Sequence, residues 1–212
     1  MPTVSIESDV SLDGGTTFGG AVAVGNGGRL RVGAQQAEIA GDLSVVGNDA
    51  YLLMQDTAST LKIGGSLLAG GGNHVGLLTA GTLEIGGDFT EANGANEAFQ
   101  ASDRHLTRFP ATRAHTISFA HDQSSWFNEL EIAASADVTF VSNAKVNANL
   151  TNNGNFSVAA GKELKVEGTL NLNDRSTANA GGSHGNVNVS SGRCDKKGGA
   201  TVRGNIPGCP GP

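Results

Sequence analysis

TLKIGGSL at residues 60–67 returns almost unchanged as TLEIGGDF at 82–89. Three further copies are AEIAGDL at 37–43, NAKVNANL at 143–150 and ELKVEGTL at 163–170. Their β-branched residues stand at positions 39, 63, 85, 146 and 166, with one long interval between 85 and 146. The other intervals are about 20–25 residues, a period that is typical of a solenoid, in which each copy stacks on the one before it.

Every copy alternates apolar and polar residues, which is the period-two pattern of a strand with one buried side. Only 5% of the residues are aromatic, which suits the thin Val, Ile, Leu and Ala core of a solenoid better than a globular enzyme. A disordered chain would be rich in Gly as well, but it would lack such regular alternation. The sequence therefore predicts an all-β chain folded as a parallel β-helix.

The predicted organisation is a β-solenoid over 1–173 and a Gly-rich tail or cap over 174–212. At about 22 residues per coil, the first segment contains about eight coils. Its middle, 98–128, is irregular and holds the single Trp, four Phe and three His. Clusters of Gly and Asn, such as Asn93-Gly94, are predicted to form the corners because these residues tolerate positive φ.

Cys194 and Cys209 are the two cysteines of the chain, and they enclose a loop of low hydrophobicity. A disulfide between them would stabilise the tail by about 3 kcal/mol on a chain-entropy model and would indicate an oxidising compartment. The alternative is a two-thiol metal site, which is disfavoured because the loop contains no His and no third Cys.

The net charge of −6 argues against nucleic acid or an anionic membrane as the partner, since both select basic surfaces. No apolar run is long enough to cross a bilayer, so no membrane-spanning segment is predicted. No signal peptide is visible at the start, so an extracellular protein would correspond to a mature or excised segment. No cofactor is predicted.

Several phrases resemble the repeats of large secreted bacterial surface proteins, namely β-helical adhesins and filamentous-haemagglutinin-type exoproteins. The resemblance covers about residues 37–173. It implies an extracellular, structural or adhesive role, and Phe99, Phe119 and Phe127 as core positions; it brings no catalytic motif. The phrases are GGDFT at 86–90, AFQ at 98–100, HTISFAH at 115–121, WFNELEIAASADVTF at 126–140 and NANLTNNGNFSV at 147–158.

One candidate glycan-binding surface lies in the middle segment. Aromatic faces stack on sugar rings, and Arg side chains supply fixed donors. The simpler interpretation is that the Phe residues fill the core and the Arg residues lie in water, and it is favoured. The candidate residues are Trp126, Arg104, Arg108, Arg113 and His115.

A metal site is not predicted. The spacing of His105, His115 and His121 matches no known ligand signature, so these histidines are expected to lie in solvated loops.

Polysaccharide lyases and pectinases also use parallel β-helices, which makes catalysis an alternative. The acids of the repeats lie at odd offsets from the inward residue and therefore on the outer surface, where any soluble solenoid needs charge. An enzyme is therefore not predicted, because sharing a fold with these enzymes is not in itself evidence of catalysis. These acids are Asp42, Glu84, Asp88, Glu131 and Glu167.

The leading functional hypothesis is a stalk or fibre building block of a bacterial surface protein, associating with itself or with neighbouring repeats. The alternative is a carbohydrate-binding module, and the third choice is a polysaccharide-degrading enzyme.

Overall fold

The computed structural model describes residues 3–92, 97–181 and 183–209, so the predicted corner Asn93-Gly94 lies outside the described residues. Those residues form 25 short strands and no helix. The strands are β1 (Val4–Ile6), β2 (Asp9–Leu12), β3 (Thr16–Phe18), β4 (Val22–Val24), β5 (Arg29–Val32), β6 (Gln36–Ile39), β7 (Leu43–Val46), β8 (Tyr51–Met54), β9 (Thr60–Ile63), β10 (Leu67–Gly70), β11 (Thr82–Ile85), β12 (Phe89–Glu91), β13 (Leu106–Phe109), β14 (Ala114–Phe119), β15 (Glu129–Ile132), β16 (Asp137–Phe140), β17 (Ala144–Val146), β18 (Leu150–Asn152), β19 (Asn155–Val158), β20 (Glu163–Val166), β21 (Leu170–Leu172), β22 (Thr177–Asn179), β23 (Asn186–Val189), β24 (Cys194–Lys196) and β25 (Thr201–Arg203).

The strands form a three-sided solenoid of about nine turns, and the predicted parallel β-helix is confirmed. Face 1 is a ten-stranded sheet in the order β1-β4-β7-β10-β12-β14-β16-β19-β22-β25. Face 2 is a nine-stranded sheet that runs from β3 through β6, β9, β11, β13, β15, β18 and β21 to β24. Face 3 consists of two three-stranded sheets, β2-β5-β8 and β17-β20-β23, with isolated parallel bridges between them.

The length of a turn varies along the rod. On face 1 the two shortest steps between paired positions run from Val4 to Val22 and from Asp137 to Asn155, and the longest runs from Phe89 to Ile117. The longest turn lies in the segment that the sequence marks as irregular. The strands before and after this turn, β12 and β14, still pair in register on face 1.

The core is a stack of inward side chains, one ladder for each face. On face 2, Ile39, Ile63 and Ile85 pair in register and are at most 2% exposed. The middle turns replace this aliphatic stack with aromatic rings. Phe89 contacts Phe99 and Phe127, each at a centroid distance of 4.9 Å, in edge-on or tilted packing. The predicted core positions Phe99, Phe119 and Phe127 are confirmed.

The five repeat copies divide into two groups. The inward residues Ile39, Ile63 and Ile85 belong to face 2, whereas Val146 and Val166 belong to face 3. In both groups the strand that follows the phrase starts on the next face of the prism. The phrase therefore marks a corner of the solenoid, and the long interval between the two groups includes a change of corner.

Close approach of successive turns explains the glycines of this corner. A Cβ on Gly87 would lie 2.6 Å from the carbonyl carbon of Gly65, and one on Gly65 would lie 2.8 Å from the backbone nitrogen of Asp42. Neither glycine has a positive φ. At these two positions the requirement is the absence of a side chain, whereas Gly27 and Gly47, in corners that the sequence predicts, do have positive φ.

The Gly-rich segment after residue 173 carries four strands that extend all three faces: β22 and β25 on face 1, β23 on face 3 and β24 on face 2. After β25 the chain crosses the end of the core, where Ile206 is buried. The predicted disulfide between Cys194 and Cys209 is confirmed, and it ties the crossing segment to β24.

Candidate functional site

The five residues predicted to bind glycan do not share a surface. Arg108 lies on face 2 in β13, Arg113 directly precedes β14 of face 1, and Trp126 lies on face 3 at its bridge to Gln100. Arg104 is exposed in the turn before β13, and His115 points into the core with 1% of its surface exposed. The structure therefore assembles no common platform from these side chains.

Trp126 is held by two contacts. Its Nε1 donates a hydrogen bond to the carbonyl oxygen of Ala101 (2.9 Å), and the ammonium of Lys145 lies 3.4 Å from the ring centroid. Burial lowers the pKa of this lysine, although the charge of Glu167 opposes the effect. Because the ammonium occupies one side of the indole, a sugar ring could stack there only by displacing it.

Arg108 is the fourth member of a ladder of alternating charge on the outer surface of face 2. Its guanidinium lies 3.0 Å from the Glu84 carboxylate and 3.4 Å from the Glu131 carboxylate. All members occupy the position just before the inward residue, and each pairs with the next in register. The ladder is Glu38, Lys62, Glu84, Arg108 and Glu131.

Arg113 and His115 organise the corner before β14. Arg113 donates to the Asp88 carboxylate at 2.7 Å. Burial raises the pKa of Asp88, but the hydrogen bonds from Thr116 and the charge of Arg113 outweigh it, so the net shift is downward. Both ring nitrogens of His115 face carbonyl oxygens, Nδ1 that of Gly87 (2.7 Å) and Nε2 that of Pro110 (2.6 Å).

The expectation that the histidines of the middle segment lie in solvated loops is wrong for His105 and His115. His105 is fully buried and His115 nearly so, and His121 is half-buried with its Nδ1 2.9 Å from the Glu91 carboxylate. The alternation in HLTRF and HTISF contains the signal, since His105 and His115 stand at inward positions with the same parity as the Phe that ends each phrase.

His74 and His105 are buried in the neutral form. His74 Nε2 accepts a hydrogen bond from the Leu52 N–H (3.1 Å), and its Nδ1 donates to the Gly72 carbonyl (2.8 Å). His105 Nδ1 donates to the Ala80 carbonyl, and its Nε2 has no hydrogen-bond partner among the described residues. Burial lowers the pKa of each histidine to about 4.

Glu91 is a carboxylate with 1% of its surface exposed, and it anchors the loop that leads to Trp126. It accepts hydrogen bonds from the backbone N–H of Ala120 (2.7 Å) and of His121 (2.8 Å), besides the His121 ring. Buried carboxylates are stable when several donors surround them in this way. Glu91 therefore has a structural role in shaping this loop.

A groove on face 3 combines aromatic, cationic and apolar groups, and it was not predicted from the sequence. It has a volume of about 360 Å³. The guanidinium of Arg29 lies 5.5 Å from the ring centroid of Tyr51, which is its partner in the strand ladder. The lining residues are Arg29, Arg31, Tyr51, Leu53, Asn73, Val75 and Leu77.

The groove exists because the regular ladder of face 3 stops after β8. The next turn pairs with β8 through one isolated bridge, Met54 to Leu78. The ring of His74 takes the place of a strand there, because it accepts the N–H of Leu52 in the core. Val75 is consequently left at the surface with 54% of its area exposed.

Neither a metal centre nor a membrane span is found within residues 3–92, 97–181 and 183–209. No group of three or more His, Cys, Asp or Glu side chains in these ranges is placed to hold a metal ion. No helix in these ranges is long and apolar enough to span a membrane.

Comparison with known proteins identifies no relative: no family model, no curated protein and no solved structure matches the chain. The fold is therefore established by the strand pairing alone. The relation to adhesin and haemagglutinin repeats stays a resemblance at the level of short phrases.

Proposed function

We propose that this chain is a stiff, non-catalytic rod segment outside the cell, acting as a stalk within a surface protein of the kind it resembles. The observation that carries the proposal is the single core shared by all three faces, which runs from Ile6 in β1 to Ile206 beyond β25. At the usual spacing of strands, nine turns extend for about 43 Å.

Stiffness follows from the way in which the turns are joined. Every strand pair is parallel and in register, and each turn is bonded to the turn above and the turn below along the faces. Bending such a rod requires many short backbone hydrogen bonds to be stretched together, since stability in a repeat array comes from neighbouring interfaces. A rod of this kind can hold another domain at a fixed distance.

The strands of the two terminal turns, β1, β2 and β3 at one end and β23, β24 and β25 at the other, each pair with a single neighbour. Residues 204–209 cover the last turn, with Ile206 in the core and Cys209 bonded to Cys194. This cover supports a stalk over a self-assembling fibre. Growth of a fibre by head-to-tail stacking would need both edges to be open.

An extracellular position is supported by the disulfide, because such bonds persist mainly in oxidising compartments. The test is to trap free thiols by alkylation during extraction from the native source and to measure the mass of the peptides that contain Cys194 and Cys209. Alkylated cysteines in freshly extracted protein would contradict an extracellular location.

The stalk role is tested by negative-stain electron microscopy and light scattering over a hundredfold range of concentration. We expect discrete rods about 40 Å long at every concentration. Filaments that lengthen with concentration would refute the stalk and favour a fibre. A variant with Ser5→Pro, which removes a backbone donor from the exposed strand β1, separates association through the open edge from association elsewhere.

A further inference from the structure

We propose that the groove on face 3, lined by Arg29, Arg31, Tyr51, Asn73 and Val75, binds a polysaccharide that carries carboxylate groups. This activity goes beyond the stalk role and does not depend on it, because the groove lies on the side of the rod and not at an end. The residues come from three successive turns, and none of them belongs to the glycan surface predicted from the sequence.

The two arginines supply the recognition of an anion. They alternate outward along β5, about 7 Å apart. Among the described residues, Arg31 has one long hydrogen bond, to Gln55 at 3.4 Å, and no ion pair. Arg29 has a distant carboxylate, that of Asp9 at 3.8 Å. The charge of each guanidinium is therefore little neutralised by nearby acidic groups. A guanidinium in this state suits a planar carboxylate, to which it can donate two parallel hydrogen bonds.

Tyr51 and the apolar floor supply the contacts to a sugar ring, and the Arg29 guanidinium, 5.5 Å from the Tyr51 ring centroid, would move from that ring to the bound carboxylate. The Tyr51 hydroxyl donates to Asp49 (2.8 Å), which fixes the orientation of the ring. Gly72 leaves space for that ring, because a Cβ there would lie 2.5 Å from it. Leu53 and Val75 extend the apolar surface, so the groove offers aromatic and aliphatic contacts beside the charges, as carbohydrate sites do.

The net negative charge of the chain limits where a polyanion could bind. A chain with a net charge of −6 repels polyanions in general, so binding of one would require a local positive site. Duplex DNA would carry the same sign as a uronate polymer but lacks the sugar face that Tyr51 and Val75 would contact. The two ligand classes are therefore separated by experiment.

The experiment is titration calorimetry of the whole chain with polygalacturonate, hyaluronan and alginate at low ionic strength, with dextran as the neutral control. We expect at least one of the acidic polymers to bind and dextran not to bind. Arg31→Ala and Tyr51→Ala should each weaken the binding about tenfold, and Arg31→Lys should weaken it less, because the charge stays but the paired donors are lost.

Matched controls are Arg193→Ala, which removes one exposed positive charge from the far end of the rod, and Trp126→Ala, which removes the sequence-predicted platform. Both should bind as the parent does. The proposal is overturned if none of the three acidic polymers binds, if Arg31→Ala leaves the affinity unchanged, or if Arg193→Ala weakens it equally. Equal competition by a duplex DNA oligonucleotide would also overturn it.

Discussion

Mild acid should destabilise this protein through two buried histidines. In the folded chain His74 accepts the Leu52 N–H on Nε2, and His105 Nε2 lies in the core without a partner in the part of the chain that the structure describes. A proton on His74 Nε2 would break the hydrogen bond from the Leu52 N–H. A proton on His105 Nε2 would bury an N–H donor that has no acceptor. The pKa of each is accordingly lowered to about 4 by burial, from an ordinary value of 6.5.

The direction and the size of this loss of stability follow from the linkage between proton binding and folding. Because the unfolded chain binds these protons more readily, the contribution of each histidine is complete above pH 6.5 and is lost as the pH falls from 6.5 through 4. At pH 5 the loss is about 2 kcal/mol for each site and about 4 kcal/mol for both. Burial raises the pKa of Glu129, so its contribution to the unfolding free energy changes with pH in the opposite direction. This residue is unchanged in the parent and in every variant.

The assay is urea unfolding at pH 7 and pH 5, followed by Trp126 fluorescence and circular dichroism. The parent should lose about 4 kcal/mol of unfolding free energy between the two pH values, whereas the double variant His74→Gln, His105→Gln should lose much less. His184→Gln, at an exposed position, should retain the parent's pH dependence. An equal loss in the double variant and the parent would refute the reasoning.

Three further outcomes are expected. Gly87→Ala should lower the unfolding free energy by about 2–3 kcal/mol, because its Cβ meets backbone of the turn below, whereas Gly14→Ala, with open space around it, should change it little; equal effects would contradict the close-approach argument. Reduction of the disulfide, or Cys194→Ser with Cys209→Ser, should lower the unfolding free energy by about 3 kcal/mol and expose the last turn to protease. Resistance to limited proteolysis would argue against a stabilising role of the disulfide. Arg108→Ala should cost about 0.5 kcal/mol at low salt and less at high salt, since its side chain is 40% exposed, and a salt-independent loss would point to packing instead.

Much of the fold was accessible from the sequence because the signal is local. Apolar and polar residues alternate within each phrase, so the inward residues Ile63 and Ile85 could be assigned before any pairing was known. The disulfide was accessible because the chain has one pair of cysteines. The buried histidines carried the same local signal, since His105 and His115 keep the parity of the inward residues, but their polarity suggested loops.

The face on which each phrase lies was decided by the tertiary structure. Corner phrases at Ile85 and Val146 look alike, yet they turn different corners of the prism, because turns of unequal length can shift a phrase from one corner to another. The face 3 groove was hidden for the same reason. Arg31, Tyr51 and Asn73 lie about one turn apart in sequence, and only the stacking of the turns brings their side chains onto one surface. Alternation along a strand is a property of the local backbone, whereas neighbours across strands depend on the length of every turn between them.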